Sequence, residues 1–425
     1  STQGVSSAAS DVYKRQFLHN YTEYNLQGSC PLSFIQDPST TLVYLISLIG
    51  VIYWLHSIDN FKIIFKYMPP VIWVYFFPMF STTLGIIPET SPLYDWIKLY
   101  LLPASLILLL LSANLPALSK LGTKAIGTML FGTIGVVIGG AVALAILGHW
   151  LPPDAWKGMG TLSGSWIGGS ANMVAVGASI GTREDLFGIM IIVDTVVGYG
   201  WMGVVIFLSA YQDRLDRWNG ADTSIIEALN KEMQVRGKYG KRPIEFMDLI
   251  TMVSLGMLCG FISLKLGEWL PDVGKVLTSF GWTIIIVTAI GISLSFTRFS
   301  DLENAGSSHV GNFFLYLLLA TIGAQADLKA ITEAPLFLGA GVIWIMIHAT
   351  ILFLGGRMLK APMFLIATSS QANIGGVVSA PIVATVYQRS LAPVGLLMGV
   401  MGNVIGVYFG LFTAWILSIV GGLYY

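Results

Sequence analysis

Twelve apolar runs of span-like length alternate with short polar turns along this chain, at 40–56, 66–87, 93–113, 123–148, 158–181, 185–210, 247–267, 276–296, 310–326, 335–355, 361–388 and 394–421. A helix needs about 20 mostly apolar residues to cross a bilayer, so the pattern predicts an all-α polytopic membrane protein with about 10–12 transmembrane helices. One long hydrophilic stretch, Tyr211 to Glu245, divides it. The organisation expected is a partly disordered N-terminal tail over 1–39, a first transmembrane repeat over 40–212, a hydrophilic linker over 213–246 and a second transmembrane repeat over 247–425. The linker holds Arg214, Arg217, Lys231, Arg236, Lys238, Lys241 and Arg242, which places it on the cytoplasmic side by the positive-inside rule. Ile225, Ile226, Leu229 and Met233 fall at helical spacing and predict an amphipathic surface helix within it.

Two apolar runs are interrupted by polar, glycine-rich strings. The first is Gly168-Gly169-Ser170-Ala171-Asn172, and the second is Ser370-Gln371-Ala372-Asn373-Ile374-Gly375-Gly376. Backbone that leaves a helix at membrane depth is tolerated only inside protein or against a cavity. Paired interruptions at corresponding places in two halves point to the binding site of a secondary transporter. The halves can be laid over one another. Leu108 to Leu118 matches Leu319 to Ile331, with Asn114 and Asp327 in corresponding places, and Ser170-Ala171-Asn172 matches Gln371-Ala372-Asn373. Phe187 to Met190 then matches Val394 to Leu397. Order kept across four helices predicts an internal duplication. The broken-helix pattern favours inverted repeats, each with one discontinuous crossing helix, although six crossings per half would leave both halves in the same sense.

Composition sharpens the class. Of 425 residues, 55% are hydrophobic and 11% charged, with Lys+Arg and Asp+Glu balanced at 23 each, whereas a soluble domain carries about 25% charged residues. The zero net charge gives no reason to expect a nucleic-acid partner. Cys30 and Cys259 form no disulfide or metal framework, and residues 1–37 show no cleavable leader pattern. The expected setting is multi-pass insertion in a bacterial-type inner (plasma) membrane, with the bilayer and a small solute as partners, a homodimer as the candidate assembly, and no cofactor beyond a candidate Na+.

Ionisable residues inside spans are functional candidates because burying a charge is costly. Asp194 lies well inside its apolar run and is the candidate for binding a coupling cation or proton; a hydrogen-bonded clamp between helices is the structural alternative. Asn403 occupies the related position in the second half. His348 could relay protons, but a neutral histidine bonded to backbone suits it better. Asn114 and Asp327 sit near span ends, where a polar cap explains them equally well. At the interruptions, Ser170, Asn172, Ser370, Gln371 and Asn373 are the candidate solute- or ion-binding residues. Around them stand Thr161, Ser163 and Ser165, and then Thr368, Ser369 and Ser379. Their hydroxyls and amides offer neutral oxygens for sodium and donors for a polar solute; packing by small residues is the alternative.

The strings Gly164-Ser165-Trp166-Ile167-Gly168-Gly169-Ser170-Ala171-Asn172, Ala320-Thr321-Ile322-Gly323-Ala324-Gln325-Ala326-Asp327 and Ser370-Gln371-Ala372-Asn373-Ile374-Gly375-Gly376 resemble the YjcL-like family of uncharacterised membrane proteins over nearly the whole chain. That family is grouped with the superfamily of cation:proton antiporters and anion transporters. The resemblance implies inverted repeats, a panel and a core domain, two discontinuous helices crossing at the midplane, and elevator-like movement of the core. In the sodium:proton antiporters of that superfamily, essential aspartates sit on the helix after the first crossing helix. Asp194 has that placement, but Val193 and Thr195 flank it, so the adjacent second acid is missing.

The function expected is secondary active transport of a small organic solute, an anionic one among the candidates, coupled to Na+ or H+ by alternating access. A cation:proton exchanger without organic substrate is the alternative. An intramembrane enzyme is disfavoured: no Gly-x-Ser-x-Gly elbow and no His-Glu-x-x-His pair occurs. A channel would pass ions without saturation.

Overall fold

A computed structural model describes residues 33–112, 121–222, 242–328, 332, 334–388 and 391–424. Asn114, the tail over 1–32 and the predicted surface helix of the linker lie outside the described residues. All twelve apolar runs fall on helices. Those before the linker are α1 (Pro38–Ser57), α2 (Pro70–Thr83), α3 (Pro92–Leu110), α4 (Gly122–Leu147), α5 (Ala155–Gly168), α6 (Ser170–Ser179) and α7 (Glu184–Leu208), and the short polar α8 (Gln212–Asn219) opens the linker. After it come α9 (Phe246–Glu268), α10 (Ser279–Ser295), α11 (Ser307–Ala324), α12 (Ala334–Met358), α13 (Met363–Ile374), α14 (Gly376–Tyr387) and α15 (Ala392–Gly421). Eight helices among the described residues are long and apolar enough to cross a membrane.

The chain direction follows from contacts between helices. α4 and α12 run antiparallel. A Cβ placed on Gly127 would meet Leu359, one on Gly135 would lie 2.9 Å from the His348 Cα, and one on Gly139 would lie 2.8 Å from the Trp344 carbonyl. Glycines along α4 let the two backbones close up, and Trp344 seals the contact by donating Nε1 to the Val136 carbonyl at 2.7 Å. These helices hold corresponding places in the expected repeats, and inverted repeats would require them to run in opposite directions.

The two interrupted segments do not cross. They are re-entrant hairpins. α5 descends from the face where α4 ends and α6 returns to it: Lys157 Nζ donates to the Gly181 carbonyl at 3.3 Å, and the Thr161 and Thr182 hydroxyls are 2.7 Å apart. α13 starts on the linker face, where Asp216 of α8 accepts from the Met363 N–H at 2.6 Å. α14 ends on that same face, with Tyr387 donating to the Val205 carbonyl near the end of α7 at 2.8 Å. The expected crossing helices are therefore replaced by hairpins entering from opposite faces.

The helices sort into two groups. α1, α2, α3, α9, α10 and α11 pack on one another, while α4, both hairpins, α7, α12 and α15 form a second body. Contact between the bodies runs chiefly through α10 against α6 and α15, with α11 touching α7. Near that boundary, on the face away from the linker, Tyr94, Lys98, Thr182, Glu184 and Gln325 line a small cleft.

Candidate functional site where the hairpin tips meet

Each tip is a glycine break. Gly169 ends α5 with φ +83° and ψ −179°, a conformation closed to other residues. At the second tip Gly376 has φ +59°. The tips touch: a Cβ placed on Gly376 would lie 3.4 Å from the Gly169 Cα. Asn403 of α15 stands beside them, its Oδ1 3.7 Å from where a Gly169 Cβ would be. The first arm of each hairpin ends at the junction and the second begins there, so carbonyl ends and N–H ends of half-helices meet in one place. Such a junction offers acceptors to a cation and donors to a polar or anionic group.

Asp194, on α7, is drawn into this junction. Ser165 Oγ donates to Oδ2 and Trp166 Nε1 donates to Oδ1, each at 2.9 Å, both from the last turn of α5. The carboxylate is half-buried and retains lone pairs for a cation. One turn on, Gly198 lets α7 approach the second hairpin, since its Cβ position is 3.4 Å from Ile374 Cγ2. Trp166 packs edge-on against Trp344 at 5.0 Å, so the indole that orients Asp194 is itself held by α12.

On the second hairpin Ser370 links three helices. Trp201 Nε1 of α7 donates to Ser370 Oγ at 2.8 Å, and His348 Nε2 of α12 lies 3.0 Å from the same oxygen. His348 Nδ1 is 2.9 Å from the Gly132 carbonyl. A carbonyl only accepts, so Nδ1 carries a hydrogen, and the Ser370 hydroxyl is left to donate to Nε2. Buried histidine bonded to backbone is the geometry found.

The two asparagines serve as braces. Asn172 donates Nδ2 to the Gly168 carbonyl at 2.7 Å across the first break. Asn373, with its amide turned to satisfy its neighbours, donates to the Ser369 and Met129 carbonyls at 3.0 and 3.3 Å and accepts from Thr133 at 3.0 Å. Both are buried. Ser170 is exposed at the first tip, whereas Ser370 and Gln371 are buried. Asp327 lies beyond the C-terminus of α11, exposed and on none of the elements that form the junction. Among the described residues no group of three or more His, Cys, Asp or Glu could hold a metal ion.

A family model described as "Protein of unknown function (DUF819)" matches residues 43–420. The chain belongs to that family. It is also similar to the "Uncharacterized membrane protein YjcL" of Bacillus subtilis (strain 168), at 26% identity over 349 residues, covering 79% of this chain and 86% of that protein. In this DUF819 member both interruptions and the acidic α7 fall inside the matched region. Sequence reasoning left Trp166, Trp201 and Thr133 without roles. Trp166 stands two residues before the first polar string, and the tryptophan donors could be assigned only once their acceptors were in place.

Proposed function

We propose that this protein is a secondary active transporter that moves a small polar solute with Na+ or H+, binding both where the hairpin tips meet. The observation that carries the reading is the meeting of two re-entrant tips, from opposite faces, beside a half-buried carboxylate. Each hairpin reaches the junction from its own face, so each can act as the gate for that face. Irregular backbone at such depth is stable only within protein or against a cavity. A cation at Asp194 neutralises the acidic side chain at the junction, and the loaded body can then move against the panel helices. The limited contact between the two bodies favours sliding as the movement.

Ser170→Cys in a background with Cys30 and Cys259 changed to serine tests this. A membrane-impermeant thiol reagent should reach the tip from one face, and from the other once the ion gradient is reversed. Reactivity from a single face under every gradient would remove alternating access. A cation:proton exchange reading shares this geometry, and solute-independent proton flux in vesicles separates it.

A further inference from the structure

The first arm of the second hairpin carries a continuous polar run, Thr368-Ser369-Ser370-Gln371, followed by Asn373. Three of these five side chains are fully engaged. Ser369 Oγ donates to Thr128 Oγ1 at 2.8 Å, Ser370 joins Trp201 and His348, and Asn373 braces α4. The other two are not. Thr368 Oγ1 and Gln371 Nε2 are buried polar atoms with no hydrogen-bond partner, on residues only 0% and 1% exposed. They are three residues apart on a helix, so they share one face. Gln371 lies at the tip end, where its Oε1 is 3.3 Å from the Cβ position of Gly375. Buried donors are otherwise almost always satisfied.

Charge narrows what would pair with them. Neither hairpin arm of the second half contains a lysine or arginine. The basic side chains of the core body lie at helix ends: Lys124 bonds Asp222 at 2.8 Å, Lys157 the Gly181 carbonyl, Arg183 bonds Asp185 at 3.2 Å, and Arg357 the Trp218 carbonyl. The acid at the junction is Asp194. A bare anion would therefore meet a carboxylate with no cationic side chain to offset it, which is costly at this depth. An amide and a hydroxyl suit neutral oxygens instead.

We infer that Thr368 and Gln371 form the recognition subsite for an uncharged, oxygen-bearing solute, with hydroxyl or carbonyl groups close enough to engage both. This rests on the transporter reading above and specifies its substrate class. Transport of such a solute with one cation carries a single positive charge, already balanced at Asp194.

The test uses thermal unfolding of the purified full chain in detergent. Thr368→Val and Gln371→Leu replace unpaired polar groups with apolar ones of similar size and should raise the Tm. Ser369→Ala, which breaks a made bond, should lower it. Glucose, myo-inositol and uridine serve as neutral probes and succinate as the anionic one. At least one neutral probe should raise the wild-type Tm and leave Gln371→Leu unmoved, with succinate inactive. A fall in Tm for both apolar variants would show the two groups to be partnered, and overturns the inference. So does stabilisation by succinate alone, or no response to any neutral probe. None of these failures touches the Ser170→Cys accessibility result, which reads neither solute charge nor this face of α13.

Discussion

The hairpins make a prediction that crossing helices cannot share. A segment that crosses separates its ends by the ~30 Å of the hydrocarbon core. The arms seen here are too short for that singly: α5 has 14 residues and α6 has 10, or ~21 and ~15 Å at 1.5 Å per residue. Each therefore reaches only part of the way and the chain turns back. The consequence is close contact at the base, where the Thr161 and Thr182 hydroxyls are 2.7 Å apart. Cysteines at 161 and 182 should form a disulfide on mild oxidation in membranes, and spin labels at 157 and 181 should report a separation on the order of 10 Å, the spacing of packed helices. The second hairpin repeats the test on the other face. Labels at Lys360, just before α13, and at Gln388 should both react with an impermeant reagent from the linker side, while labels at 157 and 181 react from the opposite side. Ends of one segment labelled from opposite faces would refute the hairpin.

Other expectations follow from single contacts. Asp194→Asn keeps an oxygen for Trp166 and a polar partner for Ser165, so it should fold normally yet lose any sodium or pH dependence of uptake; a dependence that persists makes Asp194 a packing residue. Asp194→Ala strands both buried donors and should lower stability by about 1–3 kcal/mol for each group left unpaired, read as a fall in Tm well beyond that of the asparagine variant. Gly169→Ala meets no close atom, the nearest being Asn403 Oδ1 at 3.7 Å, so its cost is backbone strain alone, about 1–3 kcal/mol; a Tm equal to wild type contradicts the break geometry. At the start of α1, Asp37 accepts from the Thr40 N–H at 2.8 Å, which holds its carboxyl below the usual carboxylate range. Its capping contribution should be complete above the unfolded value of ~3.9 and be lost as pH falls through the lowered folded value. Amide hydrogen exchange at residues 39–41 checks this, with Asp37→Ala frayed at every pH.

What the sequence disclosed and what it withheld have a common physical origin. Hydropathy reports how long an apolar run is, and all twelve runs fall on helices, whereas the polar α8 (Gln212–Asn219) matched none of them. It also exposed the two breaks, because glycine pairs beside asparagine and serine are anomalous in a lipid-facing helix. Whether a 24-residue run such as 158–181 crosses or folds back leaves no trace in its length. The decision lies in tertiary contacts: Gly164 against the Asn172 carbonyl, and Thr161 against Thr182. The same limit governs the site residues. Asn172 and Asn373 stand out as polar groups in an apolar setting, and composition cannot distinguish a brace from a ligand-binding group. Hydrogen-bond geometry can. Both asparagines are engaged within the protein, Asn172 across its own break and Asn373 with α4, whereas Thr368 and Gln371 in the same stretch are left with unmet polar atoms. The most distinctive letters in the motif thus hold the tips in shape, and the unmet polar atoms belong to less distinctive neighbours that precede Asn373. A variant series that starts from the asparagines measures the scaffold first, so loss of uptake there has to be read against Tm before it is assigned to binding.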